Sequence, residues 1–204
     1  MISPPPHQAL SIDAVTLTSG VSPALEFTGI GDVPDRVDLV GPRLRLTATL
    51  AKLDHGWRAT MPLLASRWGG EDLAPPSGTY RLLICTGNDH GAARVGTTPE
   101  PHLVPGLFRI AFHANADGLV IEFAAPLTDD ELGDEQQARL ASRYRAIRPE
   151  PENAVFFESF YGRSATCNPL ALDREIAKTR PDVVRYWGVA DRSVAVPDGA
   201  ISLV

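Results

Sequence analysis

Cysteine is scarce in this 204-residue chain: Cys85 and Cys167 lie far apart, with no CxxC pair and no Cys/His ligand spacing. That pattern supports neither a disulfide framework nor a zinc site and suits a reducing compartment. Basic residues also fall short. Nineteen Lys and Arg against 25 Asp and Glu leave a net charge of −6, the wrong sign for a protein that neutralises nucleic-acid phosphates. No apolar run approaches the roughly 20 residues that a membrane span requires. The opening Met1-Ile2-Ser3-Pro4-Pro5-Pro6 lacks the basic region and apolar core of a secretory signal. These absences predict a soluble, cytoplasmic chain. What is present, 44% apolar and 22% charged residues, is enough for a real hydrophobic core.

The charge is unevenly placed. Residues 154–204 hold six acids and six bases, so the whole −6 falls in residues 1–153, as do all five histidines (His7, His55, His90, His102, His113). The first part reads as β. Apolar residues fall on every second position in Arg43–Leu50, in Trp57, Ala59 and Met61, in Tyr80, Leu82 and Ile84, and in Phe108, Ile110 and Phe112. Asn115-Ala116-Asp117-Gly118 supplies turn chemistry before Leu119–Phe123, and weaker strands fit Ala9–Leu17, Ala24–Thr28 and Arg36–Val40. Short strands with no helical stretch between them predict an antiparallel, Ig-like sandwich over residues 1–126.

Thr128-Asp129-Asp130-Glu131 has the form of a capping box, and acids at that start face arginines 139, 143, 145 and 148 at the other end, as the helix dipole favours. Leu140, Tyr144 and Ile147 give this helix a modest apolar stripe. Pro149-Glu150-Pro151-Glu152 should end it and form a stiff hinge, so residues 127–152 read as a connector. Beyond it the pattern becomes α/β. Ala154-Val155-Phe156-Phe157 reads as a strand buried on both faces, and Asn168-Pro169 as a helix start with Leu172 and Ile176 on one face. Pro181 stops that helix and Val183–Val189 reads as a second strand, which makes a βαβ unit of a parallel sheet. A single βαβ unit cannot bury both faces of its strands, so residues 153–204 are expected to be the front of a larger domain.

The loop between that strand and helix, Phe160 to Asn168, lies where open α/β sheets bind ligands. Free backbone N–H groups favour an anion there, Gly162 permits close approach, and Arg163 with Ser164 could hold a phosphate. The plainer alternative is Gly162 for a turn, Asn168 for a cap and Arg163 in solvent. Neither a GxGxxG nor a Walker lysine is present.

Phe157-Glu158-Ser159-Phe160-Tyr161-Gly162-Arg163-Ser164, then Asn168-Pro169-Leu170-Ala171-Leu172, Arg180-Pro181-Asp182 and Tyr186-Trp187 resemble the start of the CDP-glycerol glycerophosphotransferases, the TagF-like teichoic acid polymerases and primases. The likeness runs from about Ala154 to Ala200, and the residues ahead of it resemble, more faintly, an accessory sandwich. It implies a GT-B enzyme, two Rossmann-like halves around a cleft. Such an enzyme moves glycerol phosphate from CDP-glycerol to a lipid-linked polyol-phosphate acceptor at the inner face of the membrane, with no metal or other cofactor. On this reading Ser159, Gly162, Arg163, Ser164 and Asn168 contact the substrate or shape the loop that does. The family's W-H-G-x-x-x-K histidine motif and nucleotide-gripping half are missing from these residues, and 154–204 contain no histidine. The chain alone is therefore expected to be catalytically silent, with no catalytic residue of its own.

Two rival readings stand beside it. One is a non-catalytic β module recognising a cell-wall glycopolymer or a partner protein, with Trp57 or Trp68 stacking on sugars instead of filling a core. The other is a hydrolase built on His90 or His113, which needs a nucleophile within hydrogen-bond reach.

Overall fold

The computed structural model describes residues 11–66, 70–87, 89–146 and 153–204. In its first stretch the strands are β1 (Ser11–Ile12), β2 (Ala14–Thr18), β3 (Ala24–Gly29), β4 (Arg36–Val40), β5 (Arg45–Thr47), β6 (Thr49–Leu53), β7 (Gly56–Pro62) and β8 (Ala65–Ser66). There follow β9 (Asp72–Leu73), β10 (Gly78–Thr86), β11 (Asp89–Ala92), β12 (Arg94–Val95), β13 (His102–Val104), β14 (Phe108–Asn115) and β15 (Gly118–Ala124). Then come α1 (Asp134–Ala146), β16 (Ala154–Phe157), α2 (Cys167–Thr179), β17 (Val184–Gly188) and β18 (Ile201–Leu203). Among the expected features, His7, Trp68, Ile147, Arg148, the start of the Ala9–Leu17 strand and the Pro149–Glu152 hinge lie outside the described residues.

Two antiparallel sheets carry the main core. One runs β2-β3-β7-β6; the other runs β13-β14-β15-β10-β4-β5, with β11 also on β10. The alternation seen in the sequence decides which side chains meet. Leu25 and Phe27, Trp57, Ala59 and Met61, Tyr80, Leu82 and Ile84, Phe108 and Ile110, Ile121 and Phe123 all point into one shared cluster. Each large side chain so buried contributes about 1.5–3 kcal/mol. Phe123 meets both Tyr80 and Phe108 edge-to-face, with ring centroids 5.2 Å apart in each pair.

Arg43–Leu50 was expected to be one strand, and the structure divides it. Residues of β5 pair with β4 in one sheet, whereas β6 pairs with β7 in the other, and the chain changes sheets at buried Ala48. Because the crossing keeps the in-out alternation, the sequence pattern does not register it.

The capping box also lands elsewhere. Glu131 Oε2 accepts from Thr128 N at 2.9 Å, but the box closes a short 3-10 turn at Asp129–Glu131, and α1 begins later at Asp134. Of the expected stripe on α1, Leu140 is half-buried and Tyr144 is exposed, and no described residue of the helix is fully buried.

Residues 153–204 do form a parallel unit. β16, β17 and β18 pair in that order, all parallel, with α2 connecting the first two. Phe157, Arg185 and Trp187 lie on the buried side, while Phe156, Val184, Ile201 and Leu203 remain exposed on strands of the same small sheet. Parallel sheets are ordinarily covered on both faces. Here the strands expected to be buried on both faces are buried on one. This unit touches the larger one through Ser77 N, which donates to Asp191 Oδ2 at 2.7 Å.

Candidate functional site

The Phe160–Asn168 loop leaves the carboxyl end of β16 and lies against the segment that leaves the carboxyl end of β17. Ala190 N donates to Gly162 O at 2.9 Å, and a Cβ on Gly162 would stand 2.6 Å from Ala190 N. Only a residue without a side chain permits that approach. Gly162 is also left-handed, with φ 71°, and follows Phe160 at 49° and Tyr161 at 56°. Bulky residues rarely adopt this region, at a cost of roughly 1–2 kcal/mol each. Both aromatic rings nevertheless face solvent, Tyr161 at 89% exposure. Cys167, at φ 61°, closes the loop with a further left-handed residue.

The five residues singled out from the sequence divide by role. Ser159 Oγ donates to Ser164 O and accepts from Thr166 N at 3.3 Å, so it ties the loop across its base. Ser164 Oγ lies 3.1 Å from Thr166 Oγ1, within the same cross-link. Gly162 is buried and shapes the turn. Arg163 is exposed, and its guanidinium has no hydrogen-bond or ion-pair partner among the described residues. Asn168 was expected to cap the helix, but α2 starts at Cys167 with Thr166 in the cap position, which leaves Asn168 exposed in the first turn. The loop thus brings together a free cation and a set of strained backbone residues, held by two serines.

Sequence reasoning missed the interior of this unit. Leu172 and Ile176 were read as sharing one face of α2, yet Leu172 is 58% exposed and Ile176 half-buried; the helix buries Asp173 instead. Asp173 Oδ2 accepts from Arg185 Nη1 at 2.8 Å and its Oδ1 from Trp187 Nε1 at 3.1 Å. Arg185 Nη2 reaches Asp198 O at 2.9 Å. A charged residue sharing parity with a tryptophan on a strand was the available signal. Asp191 is the other buried acid there, accepting from Ser193 N at 2.9 Å as well as from Ser77 N. Burial pushes its carboxyl up, but the hydrogen bonds from Ser193 and Ser77 outweigh that and hold it below the ordinary value.

Among the described residues no group of three or more His, Cys, Asp or Glu stands close enough to hold a metal ion. His113 is exposed and its Nε2 lies 3.6 Å from Glu122 Oε2, and no hydroxyl or thiol among the described residues hydrogen-bonds to it. Among the described residues His102 meets a hydroxyl, with its Nε2 3.0 Å from exposed Ser19 Oγ. Trp57 is fully buried, in the core and not on a sugar-stacking surface. No helix among the described residues is long and apolar enough to cross a membrane.

Compared with known proteins, the chain matches no family model and no curated protein.

Proposed function

We propose that residues 153–204 are the opening of the GT-B Rossmann-like half of a TagF-like glycerophosphotransferase, preceded by an Ig-like accessory sandwich. The reaction would transfer glycerol phosphate from CDP-glycerol to a lipid-linked polyol-phosphate acceptor, with the protein peripheral at the inner face of the membrane. The observation that carries this reading is the loop at the carboxyl end of β16, where left-handed Phe160, Tyr161 and Gly162 present to solvent an Arg163 that has no ion-pair partner among the described residues. Strain of this kind gathers where a loop has a task besides joining two elements. A guanidinium offers a planar fork to phosphate oxygens.

The uncovered face of the parallel sheet supports the same reading. Among the described residues, exposed large apolar side chains on the two-sheet unit are Val21, Ile30 and Leu53, whereas the much shorter tail exposes Phe156, Phe160, Tyr161, Leu172, Val184, Ile201, Leu203 and Val204. This distribution favours a tail that packs into a larger domain over a sandwich that binds through its own apolar patch. Strands β16, β17 and β18 are sequential, so the free edge of β16 is where a doubly wound sheet would reverse its order and open a crevice.

The test is kinetic, in a full-length protein that contains this chain, with CDP-glycerol and a lipid-linked acceptor. Arg163→Ala should raise the acceptor KM or lower turnover. Unchanged kinetics would assign the loop to scaffolding alone.

A further inference from the structure

A groove of about 530 Å³ runs along α2, between the helix and the Ala195–Asp198 segment that leads to β18, and Ala165 of the Phe160–Cys167 turn also lines it. Its helical wall is Leu170, Asp173, Arg174, Ala177 and Lys178, one stripe at the 3.6-residue period. Asp173 is not available to a ligand, because Arg185 and Trp187 occupy both its oxygens. Arg174 and Lys178 are exposed, one turn apart, and have no hydrogen-bond or ion-pair partner among the described residues. Like charges at that spacing repel one another. Across the groove stand Val196 and Pro197, both half-buried, with Asp198 beyond them. The volume falls in the range of small-molecule sites, and the lining pairs an apolar body with a cationic end.

We propose that this groove binds a phosphate monoester with an aliphatic tail. The phosphate sits between Arg174 and Lys178, where it relieves their repulsion, and the tail lies along Leu170, Ala177, Val196 and Pro197. Inorganic phosphate satisfies the cations but leaves the apolar length of the groove empty, which is why the ester is the better fit. Ala165 of the Arg163 loop lines this groove but Arg163 itself does not, so loss of binding at Arg174 and Lys178 is distinguishable from failure of the transferase reading.

The test uses the 204-residue chain and octyl phosphate below its micellar concentration, followed by amide chemical shifts. Inorganic phosphate and uncharged octyl glucoside serve as comparison probes. Saturable shifts at Ala177, Val196 and Asp198 are expected with octyl phosphate. R174Q/K178Q, both at exposed positions, should bind it about tenfold or more weakly, the loss that follows when a charge-assisted contact is removed. Binding should also weaken with added salt. Equal binding by the double variant, equal shifts with octyl glucoside, or inorganic phosphate binding as tightly as the ester would each overturn the proposal.

Discussion

Asp173 of α2 holds Arg185 of β17 at 2.8 Å, and neither side chain is more than 10% exposed. The pair is the joint between helix and sheet, because the remaining contacts of α2 are only half-buried. An ion pair in this position adds little over an apolar pair of similar shape, yet losing one member strands the other without water. The parallel unit therefore depends on keeping both partners.

Asp173→Ala should destabilise residues 153–204 by about 3–5 kcal/mol, since it leaves the Arg185 guanidinium and the Trp187 indole N–H without their acceptor. Hydrogen exchange would show protection lost from β16–β18 while β10 and β14 keep theirs. Replacing both partners with apolar residues, Asp173→Leu with Arg185→Met, should recover most of the loss. A single alanine variant with unchanged exchange would refute the role of the pair.

Much of the two-sheet unit was legible because its strands obey a period of two over a single core. Leu82, Phe108 and Ile121 announce their inward faces by alternation alone. The sheet change at Ala48 was hidden, since both halves of Arg43–Leu50 share one parity. In the tail, the parallel pairing of β16 and β17 was legible from apolar run, proline and spacing, but β18 at Ile201–Leu203 was not expected. The buried side of α2 was not legible either. An apolar-face rule selects Leu172, whereas the helix is seated by a carboxylate whose partners, Arg185 and Trp187, lie a dozen or so residues ahead. The loop was located by topology, but its left-handed aromatics follow from tertiary contacts with Ala190 that no local pattern encodes.

Gly29 pairs with Trp57 across β3 and β7, and a Cβ there would stand 2.5 Å from the indole ring. Gly29→Ala should therefore cost about 1–3 kcal/mol through overpacking, read as a lower midpoint in urea. Trp57 Nε1 is buried with no hydrogen-bond partner among the described residues. Trp57→Phe removes that orphan donor while leaving some space, so it should destabilise less than Trp57→Ala, which empties the whole site. An alanine at position 29 that leaves the midpoint unchanged would show that the indole can move aside.

Acid should loosen the contact between the two units. The Asp191 carboxyl sits below its ordinary value of 3.8, so its bonds to Ser77 and Ser193 stabilise the fold fully above that value. The contribution then disappears as pH falls below 3.8 toward the depressed one. Exchange at the Ser77 amide should rise over that window relative to amides of the β10 interior. Asp191→Asn, which keeps a weaker neutral acceptor, should flatten the dependence. A Ser77 amide whose protection is as acid-sensitive in the variant would assign the effect to another carboxylate.

Strain in the loop is separable from its chemistry. Tyr161 is left-handed and almost fully exposed, so Tyr161→Gly removes the steric cost of φ 56° without losing packing. Glycine's extra freedom in the unfolded chain offsets part of the roughly 1–2 kcal/mol relieved, and the variant should be as stable as the parent or up to about 1 kcal/mol more so. Gly162→Ala is the opposite case. It adds a Cβ 2.6 Å from Ala190 N at a left-handed φ, and it should destabilise the tail. If Tyr161→Gly keeps stability yet lowers turnover in the transferase assay proposed above, the strained conformation orients Arg163. If turnover is unchanged, the strain only accommodates the close passage of Gly162 beneath residue 190.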